Sequence, residues 1–159
     1  MINAQQEVSI TDKMADVCAE TGLSAWLYLM RVHDKIQRHS TAHLECYDLT
    51  PAQYDVLAQL NDAPGIPQQE LAQRLMVTKG NVCGLIDRMS AHGLVERRCD
   101  PEDRRINLLY LTEVGQRVAV EAVPAYGEFI REHLETLSVD EQRTLESLLR
   151  KLDAYLEGH

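Results

Sequence analysis

The chain has 159 residues, 45% of them hydrophobic, with four cysteines and a formal net charge of -9. That is one domain's worth of chain, long enough to bury a core without disulfides or metal ions. No stretch approaches the roughly 18 apolar residues of a membrane span, and residues 1–10 lack the basic start and apolar run of a signal peptide, so a cytoplasmic protein with no membrane partner is expected. Repeats, low-complexity tracts and Gly/Ser linkers are absent, which points to a single domain over 1–159.

The first predicted element is an N-terminal helix within residues 10–48, where Trp26, Leu27, Leu29, Met30, Val32, His33 and Ile36 form a broad apolar face. Near its end His39, His43 and Cys46 are spaced to share one helix face and carry zinc-competent atoms, a weak metal-site candidate without an evident fourth ligand. Thr50-Pro51-Ala52-Gln53 opens the next helix with a capping-box pattern.

Residues 67–112 are the most informative stretch. Pro67 signals a helix start, and Leu71, Ala72 and Leu75 give it one apolar stripe. Met76 and Val77 make a turn. Thr78 is placed to cap a second helix by accepting a bond from the N–H of Gly80 or Asn81, and Val82, Leu85, Ile86 and Met89 supply its buried side. Gly93 ends that helix in the left-handed conformation. Leu94 to Cys99 and Ile106 to Leu111 read as two strands joined by the turn chemistry of Asp100-Pro101-Glu102-Asp103, with Arg104 and Arg105 at the tip. A helix that fits the major groove beside a basic hairpin that reaches the adjacent backbone or minor groove is the pattern of a winged helix-turn-helix reading double-stranded DNA.

Beyond the hairpin, Thr112 caps a helix expected to reach about Thr136 and to bend at Pro124. Ser138-Val139-Asp140-Glu141 is a second capping box, leading into Leu145, Leu148, Leu149, Leu152 and Leu156 at three- and four-residue steps. Such a stripe needs a partner, most simply a second copy across a twofold axis. The fold class is therefore mainly α with a small β-hairpin wing: a winged helix unit over 50–112, with 10–48 and 113–159 as a helical dimerisation region. The negative net charge is unevenly spread, since residues 71–105 carry seven basic and five acidic residues and leave -11 to the rest. The local field governs phosphate binding, while an acidic body lowers nonspecific affinity.

Leu49-Thr50-Pro51-Ala52-Gln53-Tyr54-Asp55-Val56-Leu57, Glu70-Leu71-Ala72, Val77-Thr78-Lys79-Gly80, Asp87-Arg88-Met89, Gly93 to Arg97, Asp100 to Arg105 and Leu111-Thr112-Glu113-Val114-Gly115 resemble, in order, blocks of the MarR family of bacterial transcriptional regulators, over about residues 24 to 157. The resemblance implies a homodimer that binds a pseudo-palindromic operator, usually as a repressor, and leaves it when a small molecule or oxidant acts. It implies DNA contacts from Thr78, Lys79, Gly80, Asn81, Gly84 and Arg88 on the groove helix and from Arg98, Asp103, Arg104 and Arg105 on the wing, with Arg105 in the minor groove and Asp103 holding it. Many relatives carry Thr-Val-Thr-Arg where this chain has Asn81-Val82-Cys83-Gly84, so the base-reading set is altered.

The family's effector pocket lies between the dimer helices and the reading head, which nominates Trp26, His33, Tyr54, Asp55 and Arg97 and a phenolic or other aromatic or anionic compound. The urate-responsive pattern is met at Asp55 and Arg97 and departs at Leu85; the peroxide-sensor cysteine position falls near Trp26. Cys99, after two arginines, and Cys83, on the groove helix, are the redox candidates. No cofactor is expected. An enzyme is disfavoured, because there is no Gly-rich phosphate loop, nucleophile elbow or metal dyad with a base. A redox- or metal-sensing regulator of the same fold and a winged helix module that binds protein instead of DNA are the alternatives.

Overall fold

The computed structural model of the chain describes residues 22–158; Cys18 and the rest of the expected N-terminal segment before residue 22 lie outside the described residues. Helices α1 (Leu23–Glu45), α2 (Pro51–Asp62), α3 (Gln68–Arg74), α4 (Lys79–Ala91), α5 (Glu113–Leu134) and α6 (Val139–Glu157) accompany strands β1 (Ile66–Pro67), β2 (Val95–Cys99) and β3 (Asn107–Leu111). The chain divides into two compact units, one ending at Ala42 and one beginning at His43. In the first, α1 exposes Trp26, Tyr28, Met30, Val32 and Ile36.

In the second unit the starts of α2, α4, α5 and α6 are set by side chains that satisfy backbone N–H groups no helical carbonyl can reach. Thr50 accepts from the N–H of Gln53 at 3.3 Å while the Gln53 side chain accepts from the N–H of Thr50 at 2.8 Å. Thr78 and Ser138 accept from the N–H of Asn81 and Glu141 at 3.3 and 3.4 Å. Each such cap is worth about 1 kcal/mol. The turn between α3 and α4 places Met76 at φ 53, and Gly93 leaves α4 at φ 68. Helix α5 continues through Pro124 and ends at Leu134, two residues before Thr136.

The core joins Val56, Leu57 and Leu60 of α2, Leu71 of α3, Val82, Ile86 and Met89 of α4, and Val95, Leu109 and Leu111 of the sheet, with Ala119 and Ala122 of α5. Leu85 is only half-buried. Helix α6 has no buried residue, and all five leucines of its stripe are exposed.

The expected hairpin forms from β2 and β3, and a third strand that was not expected joins it in a sheet of order β1-β3-β2, because Ile66 and Pro67 pair with Leu109 and Leu108. Pro67 accordingly belongs to β1 and caps α3, whose first residue is Gln68. A proline is tolerated on this outermost strand, where its missing N–H removes no interior ladder bond. The extra strand ties the wing base to the first reading helix.

Candidate nucleic-acid interface

Helix α4 is amphipathic by register. Val82, Ile86 and Met89 lie in the core, which turns Lys79, Gly80, Asn81 and Arg88 to solvent with Thr78 just before them. Gly84 sits on the same side, with the Arg88 guanidinium folded back one turn over it. Among the described residues Lys79 and Arg88 have no ion pair.

The wing tip is shaped by its acids. The Asp100 carboxylate accepts from the N–H groups of Glu102 and Asp103 at 2.7 and 3.3 Å, and that of Asp103 accepts from the N–H of Arg105 at 3.0 Å. Asp103 thus fixes the backbone that carries Arg105. Arg104 and Arg105 are exposed and, among the described residues, unpaired.

Strand alternation separates the other wing arginines. Arg97 pairs across from Leu109 and shares the inner face of the sheet with Val95; Arg98 pairs across from Leu108 on the outer face. There Arg98 stacks over the Tyr110 ring at 4.4 Å and is paired with Glu96. Arg97 instead reaches Asp87 of α4 at 2.7 Å, and its Nε donates to Oε1 of Gln68 at 3.0 Å. Gln68 Nε2 donates in turn to Cys83 Sγ at 2.9 Å. Sequence reasoning missed Gln68: a lone glutamine at a helix start carries no periodic signal. The alternation that puts Arg97 on the face of Val95 was readable.

The sensor candidates fall in both units. Tyr54 packs on Tyr126 at 4.3 Å, and partial desolvation, with Tyr126 and Asp55 adding to it, raises its pKa. Desolvation also raises the Asp55 carboxyl above the usual carboxylate range. Arg97 is engaged on the reading head, whereas Trp26 and His33 are exposed in the first unit, His33 lying 3.4 Å from Asp34. Cys83 and Cys99 are both exposed. Among the described residues no set of three or more His, Cys, Asp or Glu side chains is arranged to hold a metal, so the weak candidates His39, His43 and Cys46 form no such set. Helix α1 ends at Glu45, before Cys46, and the His43 ring instead packs 4.7 Å from Phe129 and 5.9 Å from Tyr47.

A helix-turn-helix whose second helix bares its polar side next to a basic, sheet-anchored hairpin defines a winged helix protein. The MarR family model matches residues 47–106. Transcriptional regulator HosA of Escherichia coli O111:H- is 36% identical over 108 residues, 68% of this chain and 80% of that protein. Among solved structures, the transcriptional repressor CouR bound to a 23-mer DNA duplex superposes with a TM-score of 0.75 at 28% identity, over 84% of this chain and 96% of that one. A cysteine-to-serine mutant of MarR from E. coli complexed with operator DNA gives 0.74 at 31% identity, over 85% and 96%. The chain belongs to the MarR family of transcriptional regulators.

Proposed function

We propose that this protein is a homodimeric, non-enzymatic repressor that binds a pseudo-palindromic operator near the genes it controls and releases it when a small aromatic or anionic effector binds. The observation that carries the reading is that four exposed cations without a carboxylate partner converge on the groove helix and the wing tip. Carboxylates outnumber Lys and Arg 25 to 16, yet Lys79 and Arg88 on α4 and Arg104 and Arg105 on the wing are left unpaired. Exposed cations gathered on a groove-sized helix and the hairpin beside it suit a polyanion. In this reading Thr78, Lys79, Gly80, Asn81, Gly84 and Arg88 enter the major groove, Arg98 and Arg104 meet phosphates, and Arg105, held by Asp103, enters the minor groove.

The unpartnered leucines of α6 support a second copy as partner, and a twofold axis would space two groove helices by one DNA turn, roughly 34 Å. Tyr54, Asp55 and Arg97 are the effector candidates of the second unit, the first two offering an aromatic surface beside a carboxyl whose charge is already disfavoured. DNA-bound relatives such as CouR support the operator reading.

The test is fluorescence anisotropy of reduced, dialysed protein on the DNA upstream of its own gene and on an unrelated duplex, at two salt concentrations. Selective, salt-sensitive binding that Arg105→Ala weakens by about 1 to 3 kcal/mol is expected. Equal, weak binding to both duplexes that ignores Arg105 would point to a protein-binding module instead.

A further inference from the structure

We propose that Gln68 is a positioning residue for DNA reading, the hub of a closed loop of side chains that sets the wing against the groove helix. The proposal rests on the reading that α4 and the wing contact the same duplex.

Four side chains from three elements make the loop. Gln68 opens α3, Cys83 and Asp87 lie one turn apart on α4, and Arg97 is on β2. Gln68 bridges Arg97 Nε at 3.0 Å and Cys83 Sγ at 2.9 Å, and Arg97 returns to Asp87 at 2.7 Å. The i,i+4 spacing of Cys83 and Asp87 puts both on one face of α4, so the helix backbone closes the loop. The polarity is unambiguous, because a guanidinium only donates: Oε1 must face Arg97, which leaves Nε2 for the sulfur.

The loop's function follows from what it connects. Affinity is gained from groove helix and wing together only if both are held in the docked geometry beforehand; otherwise ordering them on DNA consumes part of the contact energy. The Arg97–Asp87 pair cannot hold them alone, since the Asp87 side chain is 65% exposed and an ion pair so open to water contributes little. Gln68 supplies the second, neutral restraint that keeps the Arg97 guanidinium in one orientation. Cys83 thereby places a sulfur acceptor where the glutamine amide donates.

The experiment is a double-mutant cycle in the full-length protein. Gln68→Ala, Arg105→Ala, the double variant and Gln68→Glu are compared by thermal midpoint and by anisotropy on the upstream DNA and the unrelated duplex. Gln68→Ala is expected to lower affinity for the upstream DNA about three- to tenfold, the effect of one or two hydrogen bonds. Its thermal midpoint stays within a few degrees of the wild type, and in the Arg105→Ala background its effect shrinks below about twofold, as required if it acts through the wing. Gln68→Glu keeps the acceptor for Arg97 and should recover most of the selectivity between the two duplexes. Full additivity with Arg105→Ala, an equal loss on both duplexes, or wild-type affinity in Gln68→Ala overturns the proposal while leaving the DNA-binding reading intact. A wild-type protein that does not prefer the upstream DNA overturns both.

Discussion

Gly115 lies against the backbone of Leu94 so closely that a Cβ at Gly115 would sit 2.0 Å from the Leu94 carbonyl oxygen. This contact joins the start of α5 to the start of β2. It is reinforced by Thr112, whose N–H donates to the same carbonyl at 3.1 Å and whose hydroxyl donates to the Gly93 carbonyl while accepting from the Gly115 N–H at 3.0 Å. The Leu-Thr-x-x-Gly block is thus a docking joint between the wing and the long helix. Gly115→Ala should destabilise the fold by about 2–3 kcal/mol, because the obstacle is backbone and cannot rotate away. Thermal unfolding is expected to drop by roughly 5–10 °C; an unchanged midpoint would mean that the joint yields without cost.

Met76 is held in the left-handed region at φ 53 and its side chain is 90% exposed, so it bears backbone strain without packing in return. Met76→Gly should stabilise the protein by about 0.5–1 kcal/mol, the relief of strain less the extra entropy of glycine in the unfolded chain. Chemical denaturation of the two proteins side by side reads this directly, and a lower midpoint for the glycine variant would contradict it.

At Gly84 stability and binding should move in opposite directions. An added Cβ would meet only the Arg88 guanidinium, at 3.5 Å, an ordinary contact, so Gly84→Ala should gain roughly 0.5–1 kcal/mol of helix propensity. If α4 seats closely in the major groove at this point, the same methyl group should weaken operator binding. A variant that is both more stable and equally tight on the upstream DNA would remove Gly84 from the interface.

Asp55 gives a pH signature. Desolvation raises its carboxyl in the folded state, so the folded form binds the proton more tightly than the unfolded chain does. Its contribution to stability is then fully present below the unfolded value of about 3.9 and is lost as pH rises through the folded pKa. Asp55→Asn, which cannot ionise, should be more stable than the wild type at pH 7, with the advantage shrinking as pH falls toward 4. Thermal midpoints at a series of pH values check the sign, and an advantage that grows toward low pH would reverse the assignment.

Much of the architecture was legible because it is encoded at short range. The boxes Thr50/Gln53 and Ser138/Glu141, the caps at Thr78 and Thr112, the left-handed exit at Gly93 and the buried triplet Val82, Ile86 and Met89 each depend on residues three or four apart. Local hydrogen bonding and helical periodicity impose those spacings, so sequence inspection finds them. The basic tip and the acids that shape its turn were readable for the same reason. What the tertiary structure alone decided are the pairings across long separations. Ile66 and Pro67 became a strand because β3, some forty residues later, offers them an edge. His43 left its candidate metal partners for Phe129 and Tyr47. Arg97 and Arg98, identical neighbours in sequence, were sent to opposite faces of the sheet, one to Gln68 and Asp87 and the other to Tyr110 and Glu96. Alternation along a strand says that such neighbours diverge, but which partners await them depends on how the elements pack, and no spacing within a single element carries that information.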